Sequence, residues 1–450
     1  MNLPFQRLLV DVSYTRTQRG STGVTRVVRR LLGEFQNAAM HAGWTCQPVA
    51  THSKGFRLAQ SGGQENPNAG VQESVASQVL SRVTGGRARE LATRSIPLPL
   101  LETAWQAYSR WTFDQLSASA EPAVHAPGDV LLLADAAWYY PSWRAAQLAR
   151  AQGARPVLMV HDLIPLTHPE HCVPLVSRLF EQWLVQMLAC CDAVVCNSRA
   201  TERELRVYTA HRNLSLPPTG SFRLGCDPAS SHPGATGQVR ASIQTFLSNT
   251  PTFTAVGSLE PRKNHAWLLG VFEQLWLAGH DLRLLIIGRP TADGRVFLER
   301  AKRHPENGRR LRVVTDASDD ELTHAYEHSR ALVFPSLAEG FGLPLVEART
   351  RGCPVIASDL PAFRELADEG VWLHAANSVE ELTSLLIKHS QQDRRALAAP
   401  MAAFFWRDSA LQCLHVISDL LGATNLRVPD CDAAGPVPSR TPPARTSVRT

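Results

Sequence analysis

The stretch Ala331–Glu365, ALVFPSLAEGFGLPLVEARTRGCPVIASDLPAFRE, restricts the fold more than any other. Ala331–Phe334 reads as a short buried strand that breaks at Pro335-Ser336. The chain then crosses a glycine-rich turn, Glu339-Gly340-Phe341-Gly342, and enters a helix at Leu343-Pro344. Proline suits that position because its missing N–H would have no helical partner there. After the helix, Cys353–Ala357 reads as a second strand, ending at Ser358-Asp359-Leu360-Pro361. Strand, turn, helix and strand in this order make a βαβ unit, and such sheets take their ligands at the carboxyl ends of the strands.

The helix opens just beyond the glycines, so the backbone donors of Gly342–Leu345 and the positive dipole end face the turn. That is an anion site of the kind that holds phosphate. Glu339 stands before the turn and Glu347 is expected in the first helical turn. A diphosphate would repel both carboxylates, whereas sugar hydroxyls would donate hydrogen bonds to them. The site reads as a nucleotide-sugar pocket. An ordinary βα turn, with glycine for geometry and glutamate as a favoured helix-start residue, accounts for the same residues.

A chain of 450 residues has room for two domains of ordinary size. Its 44% hydrophobic and 19% charged content fits a globular enzyme and excludes a disordered or fibrous chain. The net charge of +5 suits anionic small molecules or an acidic membrane face and is too weak to argue for nucleic acid. The nine cysteines include no C-x-x-C pair, and an odd count without a secretory leader implies reduced thiols in the cytosol. The start, MNLPFQRLLVDVS, lacks the apolar core of a signal peptide. No segment reaches the roughly 18–20 apolar residues that span a bilayer. The expected location is cytoplasmic, with peripheral attachment to the inner face of the membrane left open.

Along the first half, Arg7–Ser13 reads as a buried strand, followed by a polar loop and an amphipathic helix from Gly23 to about Phe35. Ser21-Thr22-Gly23 is suited to cap that helix. The turn is not G-x-G-x-x-G, so the dinucleotide fingerprint is missing. Arg16, Arg19, Arg26, Arg29 and Arg30 crowd the region, and the last three share one helical face. They suit phosphates of a lipid-linked acceptor or anionic headgroups; a solvated basic face is the commoner explanation. Residues 51–90, rich in Ser, Gly, Gln and Asn, read as a long loop or mobile insertion. Leu101–Leu116 follows with Trp105, Tyr108, Trp111 and Phe113 at helical spacing, which fits core packing or membrane contact. Asp129–Leu133 and Pro156–Val160 read as strands, and His161-Asp162 sits at the carboxyl end of the second. A histidine there projects into the cleft, within reach of a sugar hydroxyl or phosphate. His161, His168, His171 and Cys172 match no usual metal-ligand spacing, so no metal is expected. Ala193–Asn197 is a strand, and Ser198 caps a helix over Arg199–Tyr208.

The second half begins anew with a strand at Thr252–Val256 and the turn Gly257–Asn264, GSLEPRKN, entering a helix at His265. Adjacent cations at a helix start oppose its dipole unless an anion compensates. Arg262 and Lys263 are therefore candidate diphosphate ligands, arginine being suited to bidentate contact. Leu282–Ile287, ending at Gly288-Arg289, and Leu311–Val314 are further strands; Asp319–Ser329 is a helix. A long amphipathic helix follows at Ser409–Leu421. The last residues, rich in Pro, Arg, Ser and Thr, lack apolar periodicity and are expected to be disordered.

These motifs together resemble the retaining glycosyltransferases of family 4, of GT-B fold. The likeness rests on EGFGLPLVE with Glu339 and Glu347 eight positions apart, GSLEPRKN, VTDASDDEL (Val314–Leu322) and VIASDLPAFRE (Val355–Glu365). In the first half, STGVTRVVRRLL (Ser21–Leu32) and HDLIPLTHPE (His161–Glu170) resemble the subgroup that builds bacterial O-antigens and exopolysaccharides, often mannosyltransferases. The likeness runs through about residues 5–35 and 155–420, is weak across 40–150 and is absent from the tail.

The resemblance implies an α/β protein of two Rossmann-like domains facing across a cleft: an acceptor-binding domain over 1–227, a linker over 228–248 and a nucleotide-sugar domain over 249–405. A C-terminal helix, 406–421, would pack back toward the first domain, and 422–450 would form the tail. It implies a hexosyltransferase that moves mannose from GDP-mannose to a growing surface glycan, the acceptor carried on a polyprenyl diphosphate, with no cofactor and no metal. Arg262 and Lys263 would bind the diphosphate with the backbone of Gly342 and Leu343. Glu347 would hold the ribose hydroxyls, Glu339 and His161 would be the catalytic residues against the transferred sugar, and Gly23 would line the acceptor-side loop close to the donor phosphates. Many relatives place an arginine directly after the glycine of the 257 turn; here that residue is Ser258, so Arg262 or Arg289 would have to supply the second cation. A nucleotide-sugar epimerase of the same architecture would need a base for the C2 proton, and none is evident. A noncatalytic scaffold would have no need of both glutamates and Lys263. A glycosidase would pair its carboxylates without a phosphate site.

Overall fold

The structure, a computed structural model, describes residues 5–18, 23–59, 98–227, 238–248, 250–392 and 399–422. The first half runs β1 (Arg7–Asp11), α1 (Gly23–Ala42), β2 (Thr45–His52), β3 (Gly55–Leu58), α2 (Leu98–Leu116), β4 (Asp129–Leu133) and α3 (Trp143–Ala151). It continues with β5 (Arg155–Val160), the single-turn α4 (Ile164–Thr167), α5 (Pro174–Cys190), β6 (Ala193–Cys196), α6 (Arg199–His211) and β7 (Thr219–Ser221). The second half runs α7 (Ala241–Leu247), β8 (Thr252–Val256), α8 (His265–Leu277), β9 (Arg283–Ile287), α9 (Arg295–Lys302), β10 (Leu311–Val314) and α10 (Asp319–His328). Then come β11 (Ala331–Phe334), α11 (Leu343–Thr350), β12 (Val355–Ser358), α12 (Pro361–Leu366), β13 (Val371–His374), α13 (Val379–Gln391) and α14 (Trp406–Leu420).

The strands form two sheets, ordered β3-β2-β1-β4-β5-β6-β7 and β10-β9-β8-β11-β12-β13. All pairings are parallel except β2 with β3. Strands such as DVLLL and ALVF are buried along their whole length because helices cover both faces of a parallel sheet. Each sheet reverses its winding once, between β1 and β4 and between β8 and β11. Loops leaving the carboxyl ends of those strands diverge there and open a crevice.

Several expectations need correction. Residues 51–58, read as loop, complete β2 and form the edge strand β3; the rest of the 51–90 insertion, from 60 onward, lies outside the described residues. Residues 241–247, read as linker, form α7, whose Ile243, Phe246 and Leu247 pack with Leu285 and Ile287 of the second sheet. Helix α1 continues to Ala42, two turns beyond Phe35, because Ala39 still faces the core. The tail from 423 lies outside the described residues, as do Ser21 and Thr22 of the expected cap.

On α2, Trp105 packs against Leu175 and Leu179, and Phe113 meets the Tyr140 ring at 4.8 Å, whereas Trp111 is 60% exposed. Helix α14 lies on α1, β6 and β7. Arg155 donates to Leu421 O at 2.9 Å, and Cys226 N–H donates to Phe404 O at 2.9 Å. Among the described residues, no helix is long and apolar enough to cross a membrane, and the cysteines there are free.

Candidate active site

The turns leaving β8 and β11 lie side by side at the reversal point of the second sheet, and each delivers charge to the same spot. Lys263 Nζ pairs with Glu339 Oε1 and stands 5.3 Å over the Phe334 ring. Arg262 lies 3.2 Å from Glu339 Oε2 and 2.8 Å from Glu260 Oε1, and also donates to Ala338 O. Ser258 Oγ donates to Glu260 at 2.9 Å, so the side chain that replaces an arginine here serves to hold that carboxylate. Burial alone would push the Glu339 carboxyl up; Lys263 and Arg262 outweigh it and hold the group at about 2. Glu339 is thus ionised with both cations in place before any ligand arrives. Arg289 is exposed, and no ion pair engages it among the described residues.

Helix α11 opens at Gly342, whose φ of +115° favours glycine and whose hypothetical Cβ would lie 2.8 Å from Phe363. Pro344 has no N–H, and Leu345 N–H donates back to Gly342 O at 3.0 Å. The amides of Gly342 and Leu343 remain for a ligand, fewer than the run to Leu345 expected from sequence. Glu347 is the fifth residue of α11, one turn above the opening rather than in it. It is buried; Tyr326 OH donates to its Oε2 at 3.0 Å, and Arg26 Nη1 lies 2.6 Å from its Oε1. Burial first, and then the charge of Glu347, push the Tyr326 phenol far up, so it stays a donor.

The first domain supplies the opposite wall. His161, at the end of β5, is buried, and its Nε2–H donates to Ala134 O at 2.7 Å. That bond makes Nδ1 the acceptor nitrogen, and Nδ1 is buried without a partner among the described residues. Burial lowers the imidazole below its usual range, so the ring is neutral at neutral pH. The domains touch at Gly340: its carbonyl accepts Ser198 Oγ at 2.6 Å and Thr201 Oγ1 at 3.1 Å, and a Cβ there would lie 2.1 Å from His161 O. Glu365 adds a second cross-domain contact, its two oxygens accepting the Arg199 and Ala200 N–H groups at 3.0 Å each. An open cavity of about 800 Å³ between α6 and α12 lies beside this junction, lined by Arg199, Arg203, Glu204 and Arg364 among others.

Gly23 opens α1, and Arg26 is its fourth residue. The basic cluster is less solvated than the sequence suggested. Arg26 and Arg30 face Asp227 at 3.7 and 3.1 Å, Arg16 donates to Ser117 at 2.6 Å, and Arg29 donates to Thr15 O at 3.2 Å; Arg19 lies outside the described residues. His168 and His171 stack on each other at 6.3 Å. Among the described residues no group of three or more His, Cys, Asp or Glu side chains is placed to hold a metal ion. Sequence reasoning missed Tyr326 and the Arg26–Glu347 pair. For Arg26 a signal existed: it is a cation in the first turn of a helix, the same anomaly that singled out Arg262 and Lys263.

Comparison with known proteins bears on the family and the fold. The family model described as glycosyl transferases group 1 matches residues 241–399, and that of glycosyltransferase family 4 matches residues 78–220. The serotype-specific mannosyltransferase WbdA of Escherichia coli is 32% identical over 305 residues, 64% of this chain and 37% of that protein. The O-antigen chain mannosyltransferase RfbU of Salmonella typhimurium is 32% identical over 141 residues, 29% of this chain and 38% of that protein. The chain thus spans little more than a third of these relatives' length. Among solved structures, a sucrose-phosphate synthase from Thermosynechococcus elongatus superposes with a TM-score of 0.60 at 19% identity, covering 93% of this chain and all of that one. A trehalose-phosphate synthase from Burkholderia xenovorans gives 0.59 at 15% identity, with 93% and 100% covered. The two facing parallel-sheet domains are those of a GT-B enzyme, and the chain belongs to the family 4 glycosyltransferases.

Proposed function

We propose that the protein transfers mannose from GDP-mannose, with retention at the anomeric carbon, to a polyprenyl-diphosphate-linked glycan during synthesis of a bacterial surface polysaccharide. The observation that carries this reading is the Lys263–Glu339–Arg262 cluster set against the open amide end of α11 and beside His161. Breaking a sugar–phosphate bond builds negative charge on the leaving diphosphate, and fixed cations with a helix start stabilise it without a metal. In this reading Lys263, Arg262 and the Gly342 and Leu343 amides receive the diphosphate, and Glu347 takes ribose hydroxyls. Glu339 and the His161 Nδ1 acceptor orient the sugar, and the departing phosphate accepts the acceptor's proton. The likeness to WbdA and RfbU supports mannose as the sugar and surface glycan as the setting. The protein would work at the cytoplasmic face of the membrane, in peripheral contact with it.

The test is transfer of radiolabelled mannose from GDP-mannose to a synthetic prenyl-diphosphate glycan, with the anomeric configuration of the product read by NMR. Glu339→Ala and Lys263→Ala should each lower kcat/KM by about 10²-fold or more, on the scale of losing one preorganised charge-stabilising group. A chelator should leave the rate unchanged. Wild-type rates in either variant, or a reversible loss on chelation, would sink the reading.

A further inference from the structure

We infer that Arg26, a residue of the first domain, is a diphosphate-binding residue of the donor site, exchanging its Glu347 contact for a phosphate oxygen when the nucleotide enters. This rests on the donor site proposed above and adds to it a residue from the other side of the cleft. On the second domain's wall Arg262 and Lys263 are already paired, with Glu260 and Glu339. A diphosphate at the start of α11 would therefore share Arg262 and Lys263 with those carboxylates.

Arg26 stands opposite, its Nη1 2.6 Å from Glu347 Oε1 while Nη2 lies 3.7 Å from Asp227, beyond hydrogen-bond length. One close ion pair therefore ties it to a group that the ribose would occupy. Glu347 is the fifth residue of α11, about 6 Å along the axis from the opening at 1.5 Å per residue, within the sweep of an arginine side chain. Tyr326 keeps Glu347 in place when Arg26 leaves, because its hydroxyl holds the other oxygen at 3.0 Å. Asp227 is already partnered by Arg30 at 3.1 Å, so it does not require Arg26. A guanidinium also offers the planar pair of donors that matches two phosphate oxygens.

The experiment is titration calorimetry of the full chain with GDP or UDP, whichever binds more tightly, and with the matching nucleoside. The variants are Arg26→Gln, which keeps a donor toward Glu347, and Arg26→Lys, which keeps the charge. Arg26→Gln should weaken the nucleoside diphosphate about tenfold or more and leave the nucleoside unchanged, with Arg26→Lys recovering part of the loss. Unchanged or tighter diphosphate binding in Arg26→Gln overturns the assignment. An equal loss for diphosphate and nucleoside also overturns it, because Arg26 would then act only through Glu347. Lys263→Ala is the separate arm: if it binds the diphosphate as tightly as wild type, the donor-site reading itself fails, whatever Arg26 does.

Discussion

Asp11 and Asp135 show how one buried charge sets the working state of its neighbour. They end β1 and follow β4, on either side of the reversal point of the first sheet. Asp135 accepts four hydrogen bonds, from the amides of Tyr14, Thr15 and Ala136 and from the Thr15 hydroxyl, which work against the burial that raises its carboxyl. Asp11 accepts from the Ser13 amide at 3.0 Å and hydroxyl at 2.5 Å, while its Oδ2 is buried without a partner among the described residues. Burial first, and then the charge of Asp135, push the Asp11 carboxyl up to about 7. A carboxyl raised on folding binds its proton more tightly in the native state, so its contribution to stability is present at low pH. That contribution is lost as pH rises from about 4 through 7. Asp11→Asn should therefore flatten the stability curve between about pH 4 and 7, measured by urea unfolding at several pH values. An unchanged slope would show that Asp11 does not carry the proton. Glu339 is the opposite case: its carboxyl is held at about 2, so its pairing with Lys263 survives across that same window.

At the level of elements, the domain junction depends on one glycine. The carbonyl of Gly340 is held by the Ser198 and Thr201 hydroxyls at the start of α6, and its missing side chain lets His161 O approach. A methyl group there would stand 2.1 Å from that carbonyl oxygen, a clash with backbone on both sides that no rotamer relieves. Gly340→Ala should hold the domains apart: a larger radius of gyration in solution scattering and a fall in kcat of about tenfold or more, with nucleoside diphosphate binding weakened no further than in Arg26→Gln. A variant with wild-type turnover would mean that this contact is not made during catalysis. The same elements show what was legible in the sequence. Strands of four or five apolar residues between glycine or proline turns were placed to within a residue or two, since a parallel sheet buries both faces of each strand. Strands β2, β7 and β13, the edge strand β3, GFRL, and the seven-residue α7 escaped: TCQPVATH and TGS carry polar residues, and the others are too short for their periodicity to show. Lys263 was legible as a local anomaly, a cation at a helix start, and Glu339 as a carboxylate beside a glycine-rich turn suited to an anion. The partners of Glu347 were not: Tyr326 lies on another helix and Arg26 in another domain, and contacts of that kind leave no local pattern.

Across the whole molecule, the apolar interior does not respect the division into two sheets. One contiguous cluster runs from Leu8, Val28 and Phe35 of the first domain through Trp406, Leu414 and Ile417 of α14. It continues to Phe334, Leu345 and Phe363 around the donor-side helix. Helix α14 belongs by sequence to the end of the second half yet packs on α1, β6 and β7, with Val416 and Leu420 against Gly220. Domains that share buried apolar surface lose more than their own contacts when either one opens, which couples their unfolding. Leu414 is fully buried in the middle of this cluster. Truncating it to alanine removes apolar burial and leaves a cavity, a change that costs about 2–5 kcal/mol in well-packed cores. If the interior acts as one unit, Leu414→Ala shifts the entire calorimetric transition down by several degrees, and added GDP, taken up at the proposed donor site, raises that whole transition again by mass action. If instead the domains melt independently, the trace splits: an early peak moves with the mutation, and a later one moves only with the nucleotide. The split would mean that the shared cluster is contact without coupling, and that closure around the donor draws on the Gly340 and Glu365 contacts alone.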